Sequence, residues 1–271
     1  MKKIIFILFS LIIANNSFAQ HALGALLLTS QEYAALPHLN LSAVGLKKLL
    51  APLPPVMTIT SPPVGDQGSE GACVGWGVGY STISSLWVYP TTIYNSSNEL
   101  SPSYIYNQIK QGNCAAGSYV KDALNLIASQ GDCSIGSMPY VDGDCNTQPN
   151  SNQRAEAHTK IVAGWFALAP TDVNAMKISI WSKTPVIVAF NVTQAFDTMW
   201  ANGGIWTTNG GTARGGHCVA IIGYDDTKGM FKAQNQWGVS GGDHGFFWVT
   251  YALVQSGCFQ EAYSFSDAFK Y

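Results

Sequence analysis

The apolar residues of this chain change their period midway, and that change limits the folds open to it. In the first part they recur at helical spacing. Trp76, Tyr80, Ile83 and Trp87 fall on one helical face, in a segment beginning at Cys73. Gly75, Gly77 and Gly79 weaken that helix by about 1 kcal/mol each relative to Ala, so packing against another element has to hold it. Ser101 and Pro102 supply the cap and first turn of a second helix that carries Ile105 and Ile109 inward. Ser118 caps a third, with Val120, Leu124 and Ile127 on one face and Gly131 as its stop, and Thr171 opens a fourth with Val173, Met176 and Ile180. From Pro185 onward the runs are short, β-branched and aromatic: Pro185 to Val192, Cys218 to Tyr224, Met230 to Ala233 and Phe246 to Tyr251. A helical half followed by a largely antiparallel sheet is an α+β chain, and the cleft between two such halves is a natural place for chemistry.

The N-terminus carries an address. Lys2 and Lys3, the apolar run Ile4 to Ala14 and the small residues of Ser17-Phe18-Ala19 form the three parts of a cleavable signal peptide over residues 1–19. The run is too short to span a bilayer, so the expected product is secreted or periplasmic. Residues 20–53 then read as a short leader or pro-segment, with a possible amphipathic helix at Ser42 to Leu50 and a linker held extended by Pro52 and Pro54 onward. Residues 54–271 are expected to form the working domain. Only 11% of the chain is charged and the formal net charge is −2. No basic excess exists to bind nucleic acid.

Export permits disulfides, and the six cysteines allow 15 pairings. Cys73 stands apart because it ends the Gly-rich loop Pro63-Val64-Gly65-Asp66-Gln67-Gly68-Ser69-Glu70-Gly71-Ala72 and begins a helix. A helix N-terminus favours thiolate, the nucleophilic form; the plainer alternative is a bridged or buried cysteine. A nucleophilic thiol needs a base. His21 and His38 belong to the leader and His158 to a polar surface stretch, whereas His217 follows Gly215-Gly216 and opens an apolar strand. Asn235 can accept from one ring nitrogen of His217 and leave the other for the thiol, with Trp237 covering that bond from water.

The order Gln67, Cys73, His217, Asn235, Trp237 resembles that of a papain-like cysteine peptidase. The words Asp66-Gln67-Gly68, Gly216-His217 before an apolar strand and Gly223-Tyr224, and Asn235-x-Trp237-Gly238 carry the likeness, with Leu100-Ser101 and Met138-Pro139-Tyr140 between them. His217 lies 144 residues (217 − 73) beyond Cys73, within the roughly 130–150 expected. The resemblance covers about Pro54 to Tyr271 and marks a divergent member, of bacterial type. It implies a two-lobed fold with a helical N-terminal lobe, an antiparallel, barrel-like C-terminal lobe and the active-site cleft between them. It further implies an endopeptidase in which Cys73 attacks the peptide carbonyl, His217 moves the proton, Asn235 orients His217, and Gln67 with the Cys73 N–H binds the oxyanion. A thiol pKa lowered from its ordinary value is part of that expectation. No cofactor or metal is implied. The implied partners are a peptide or protein substrate and a protein inhibitor, with the chain acting as a monomer that contacts neither nucleic acid nor, after signal cleavage, membrane.

The chain also departs from the family pattern. Where Cys-Gly-Ser/Ala-Cys is usual, it reads Glu70-Gly71-Ala72-Cys73, so the cysteine that normally anchors this loop is Glu70. Its usual partner resembles Cys114, which must find another mate, and Cys145 is preferred. Ala116, in Cys114-Ala115-Ala116-Gly117, replaces one of the glycines along which substrate runs, so Ala116 and Gly117 are expected substrate-binding residues whose geometry differs from the usual. The leader lacks the long helical pattern of the usual inhibitory pro-region. A catalytically silent binding module, or a cell-wall peptidase or acyl transferase of the same superfamily, are the alternatives to weigh.

Overall fold

The computed structural model describes residues 21–41, 52–90 and 93–267. The expected signal peptide and the helix expected at 42–50 lie outside the described residues. The leader forms strand β1 (Ala25–Leu26) and the short helix α1 (Ser30–Ala34), where Thr29 and Glu32 make a reciprocal capping box. Strand β2 (Val56–Thr58) follows the prolines. The helix that begins at Cys73 is not uniform: α2 (Cys73–Gly75) widens into a π-helical stretch (Trp76–Ile83) and closes as α3 (Ser84–Val88). The wider turns bring Trp87 out of line, 36% exposed, while Trp76, Tyr80 and Ile83 are buried. Gly77 shows why small residues sit here. A Cβ on it would stand 3.1 Å from the Cys218 sulfur, so the helix backbone lies directly against the strand that carries Cys218.

Helix α4 (Pro102–Ile109) is capped as expected, the Ser101 hydroxyl accepting from Tyr104 N–H at 3.1 Å. Ser118 does not cap the next helix. It belongs to β3 (Ser118–Tyr119), where its N–H is taken by the leader, and α5 (Val120–Gln130) starts after Tyr119 and stops at Gly131 with φ 77°. Helix α6 is Ser151–Ala157. Strand β4 (Gly164–Ala167) precedes α7 (Val173–Trp181), which is capped by Asp172 rather than begun by Thr171: the Asp172 carboxylate accepts from Ala175 N–H at 2.9 Å.

The remaining elements are β5 (Val186–Thr193), α8 (Gln194–Ala201), β6 (Ile205–Trp206), β7 (Ala213–Asp225), β8 (Met230–Gln234), β9 (Phe246–Thr250), α9 (Tyr251–Gln255) and β10 (Glu261–Asp267). Their sheet runs β4-β10-β5-β7-β8-β9-β6, with β2 also paired to β7, and only the β6–β9 pair is parallel. The path is open, with β4 and β6 at its ends, so the C-terminal lobe is a sheet and not a closed barrel. Both faces of its centre are covered. Val186, Val188 and Phe190 of β5 and Val219 and Ile221 of β7 pack in one core with Met176, Ile180 and Phe196. Ile187, Ala189 and Cys218 point the other way, into a core shared with the helical lobe. Two-sided burial is what made these strands read as continuous apolar runs. No helix of the described residues is long and apolar enough to cross a membrane.

Candidate active site

The loop before Cys73 is tied to its surroundings at nearly every residue. Gln67 N–H donates to Gln236 O and Gly71 N–H to Cys114 O, each at 2.9 Å. Ser69 donates to the Asp142 carboxylate from both N–H and hydroxyl, and Tyr140 OH donates to Gln67 O at 2.7 Å. One N–H of the Gln67 side-chain amide is spent on Glu70 O at 2.8 Å, which aims the other into the cleft. Cys114 has found its mate: it is disulfide-bonded to Cys145, and Cys73, Cys133, Cys218 and Cys258 are free thiols.

The opposite wall is β7 and the turn after β8. His217 pairs with Phe190 across the β5–β7 ladder, which fixes its backbone on one side. Its Nε2 lies 2.8 Å from Asn235 Oδ1, while Nδ1 is buried without a hydrogen-bond partner. If Nε2 carries the proton, Nδ1 is the free base. Trp237 covers the pair, its ring centroid 4.5 Å from that of His217. Gln236 was not singled out by the sequence: its amide nitrogen donates to Cys218 O at 2.8 Å and stands 3.3 Å from His217 Nε2. The backbone N–H of Cys218, next to His217, reaches the Cys73 thiol, so the two walls meet at that sulfur.

The leader fills the space between them. His21 stacks on Trp237 at 4.7 Å with planes 5° apart, and its carbonyl accepts from Arg214, whose other nitrogens grip Asp197. Ala22 O accepts the cleft-facing N–H of Gln67 at 3.2 Å. Gly24 N–H donates to Gly216 O and Gly24 O accepts from Ser118 N–H, beginning the parallel β1–β3 pair. Gly117 flanks this segment, a Cβ on it standing 2.5 Å from Gly24 O, whereas Ala116 O lies beside Gly71. Gly24 itself admits no side chain, since a Cβ there would lie 1.9 Å from Gly71 O. Farther on, Leu28 N–H donates to Glu261 at 2.6 Å, and Tyr33 OH bonds the Leu168 and Ala262 carbonyls.

Closure changes the electrostatics. Gln67, Cys73 and His217 are 0% exposed and Asn235 is 1% exposed. Burial pushes the Cys73 thiol up to about 12, against the pull of the Cys218 and Gly24 N–H groups. The lowered thiol expected from the helix terminus is therefore not the state of the closed cleft: desolvation of a sealed sulfur outweighs the dipole and the backbone donors. Burial likewise holds His217 down to about 3, with the Asn235 bond opposing.

Known proteins share this architecture. The family model described as papain family cysteine protease matches residues 57–265. Cathepsin B of Dictyostelium discoideum is 24% identical over 204 residues, covering 68% of this chain and 63% of that protein. The chain thus spans less than two thirds of this relative. Among solved structures, xylellain, a cysteine protease from Xylella fastidiosa, superposes with TM-score 0.71 at 19% identity, over 91% of this chain and 96% of its own. Procathepsin B S9 from Trypanosoma congolense gives TM-score 0.72 at 16% identity, over 91% and 86%. The matched span takes in both walls of the cleft, and the chain belongs to the papain family of cysteine proteases.

Proposed function

We propose that this chain is an exported cysteine peptidase, secreted or periplasmic through residues 1–19, whose leader occupies the cleft and keeps it silent until removed. In the open enzyme Cys73 is the nucleophile. His217 Nδ1 takes its proton and returns it to the leaving amine, Asn235 holds Nε2, and Trp237 keeps water from that bond. The Gln67 amide and the Cys73 N–H bind the oxyanion. One observation carries the reading: the cleft-facing N–H of Gln67 already holds a peptide carbonyl, that of Ala22, at 3.2 Å.

The direction of the leader supports its silence. In acyl transfer the residue C-terminal to the attacked carbonyl leaves as an amine and must sit beside the proton donor. Here the residue on the Trp237 side is His21, N-terminal to Ala22, while the chain beyond Ala22 runs toward Gly216 and Ser118. The segment lies backwards for cleavage at Ala22.

The test uses the purified chain, reduced, before and after leader removal, with a fluorogenic peptide amide and casein as substrates. Turnover and epoxide labelling at Cys73 that appear only after removal are the expected result. If the freed enzyme neither hydrolyses peptides nor reacts with the epoxide, the peptidase reading fails; equal activity before and after sinks the blocking role. Digestion of peptidoglycan in preference to casein would reassign the substrate to cell-wall peptide.

A further inference from the structure

Glu70 stands where the family pattern has its loop-anchoring cysteine, and the geometry gives it work. Its side chain is 1% exposed, and Oε1 accepts from Gly143 N–H at 3.0 Å. The carboxylate lies within 4.8 Å of the sulfurs of Cys114 and Cys145, which are bonded to each other and so offer no thiolate to share a metal with it. One residue thus faces two ways: the side chain is moored to the 140–145 segment, and the backbone carbonyl accepts from Gln67 Nε2 at 2.8 Å. The amide group has two N–H bonds. With one fixed on Glu70 O, the other points to the position now taken by Ala22 O.

Resting on the peptidase reading above, we propose that Glu70 is a positioning residue for the oxyanion hole, a hydrogen-bonded mooring that aims the Gln67 amide at the reacting carbonyl. The covalent link between segments has moved to Cys114–Cys145, and Glu70 couples the nucleophile loop to that junction without a bond. Burial raises the Glu70 carboxyl from its ordinary value, with Tyr140 and Gly143 pulling the other way.

The prediction separates aim from fold. Glu70→Ala lowers kcat on a peptide amide by about tenfold to a hundredfold, the cost of a misplaced group, with little change in KM. Alkylation of Cys73 by iodoacetamide forms no tetrahedral oxyanion, and its rate stays at the wild-type value. Glu70→Gln, which keeps an oxygen acceptor for Gly143, restores most of kcat. In a Gln67→Ala background, Glu70→Ala costs nothing further, because its effect passes through Gln67. Should Glu70→Ala fail to fold, Glu70→Asp, one methylene short of Gly143, takes its place in the same comparisons. The Gln67 side-chain NH2 resonances give a reading independent of turnover: two distinct, protected signals in wild type and Glu70→Gln, averaged toward solvent in Glu70→Ala. Unchanged resonances, or equal losses in hydrolysis and alkylation, overturn the proposal. Displaced resonances in a protein whose wild type hydrolyses nothing uphold the mooring and sink the peptidase reading alone.

Discussion

The two walls of the cleft are built by opposite means. His217 stands on β7, laddered to β5 on one side and β8 on the other, with Val219 and Ile221 in one core and Cys218 in another. Gln67 stands on a loop fixed by a few isolated hydrogen bonds: Tyr140 OH donates to Gln67 O, Ser69 donates to the Asp142 carboxylate, and Gly71 N–H donates to Cys114 O. A ladder distributes its load over many bonds, whereas a loop of this kind fails one contact at a time. The His217 wall should therefore answer to substitution with loss of fold, and the Gln67 wall with loss of rate.

The largest effect is indifferent to that contrast. Cys73→Ala and His217→Ala should each lower kcat of the freed enzyme by about 10⁶, read as turnover of a peptide amide. The contrast itself shows in unfolding. Ile221→Ala, in the core behind the histidine, should cost about 2–5 kcal/mol in denaturant titration. Asp142→Ala, which removes exposed bonds to Ser69, should cost about 0.5–1.5 kcal/mol. Equal losses would erase the distinction between the walls. Gln67→Ala should lower kcat about 10²–10³-fold with an unchanged melting curve. A smaller effect, of opposite sign, belongs to the leader that bridges the walls. Gly24→Val sets a side chain against Gly71 O, and the overpacking, about 1–3 kcal/mol, should raise the activity of the uncleaved chain about tenfold.

Acid should open the same contact, by a smaller margin. Burial is the chief cause holding both His217, at about 3, and His21 below their ordinary 6.5, so both are neutral in the closed cleft. The His217 contribution to closure is complete above pH 6.5 and is lost as pH falls from there toward 3, since the open form takes up the proton, and His21 acts in the same direction. Glu261, raised by burial against the pull of Tyr263 and the Leu28 N–H, works the other way. Amide exchange of residues 22–28, corrected for intrinsic rates, should quicken between pH 7 and 4 relative to that of β7. Parallel behaviour of the two segments would mean that the leader opens only with the whole fold.

Much of the second lobe was legible because burial on both faces writes itself into sequence as unbroken apolar runs, and Gly215-Gly216-His217 marked where such a run becomes a site. The resemblance left Cys114 without its usual mate and suggested Cys145 as a preference, and the structure pairs the two. The widened helix at Trp76–Ile83 was not legible, since hydrophobic spacing over two turns fits an ordinary helix as well. Nor was the path of the leader. His21 to Leu28 binds mainly through backbone groups, whose partners leave no mark on side-chain choice; a glycine alone in that apolar run was the single sign of a tight passage. The thiol misled for a related reason. A helix terminus can be read locally, while the burial that overrides it is set by everything the fold packs around the sulfur, including groups as far upstream as Gly24.

The parallel pairing of Ala25–Leu26 with Ser118–Tyr119 has a consequence for concentration. A plug on the same chain as its socket is present at a fixed local concentration, in the millimolar range for short tethers, however dilute the protein becomes. On the proposed reading, dilution does not start the enzyme and crowding does not stop it: latency is counted per molecule, and each copy must be unplugged on its own.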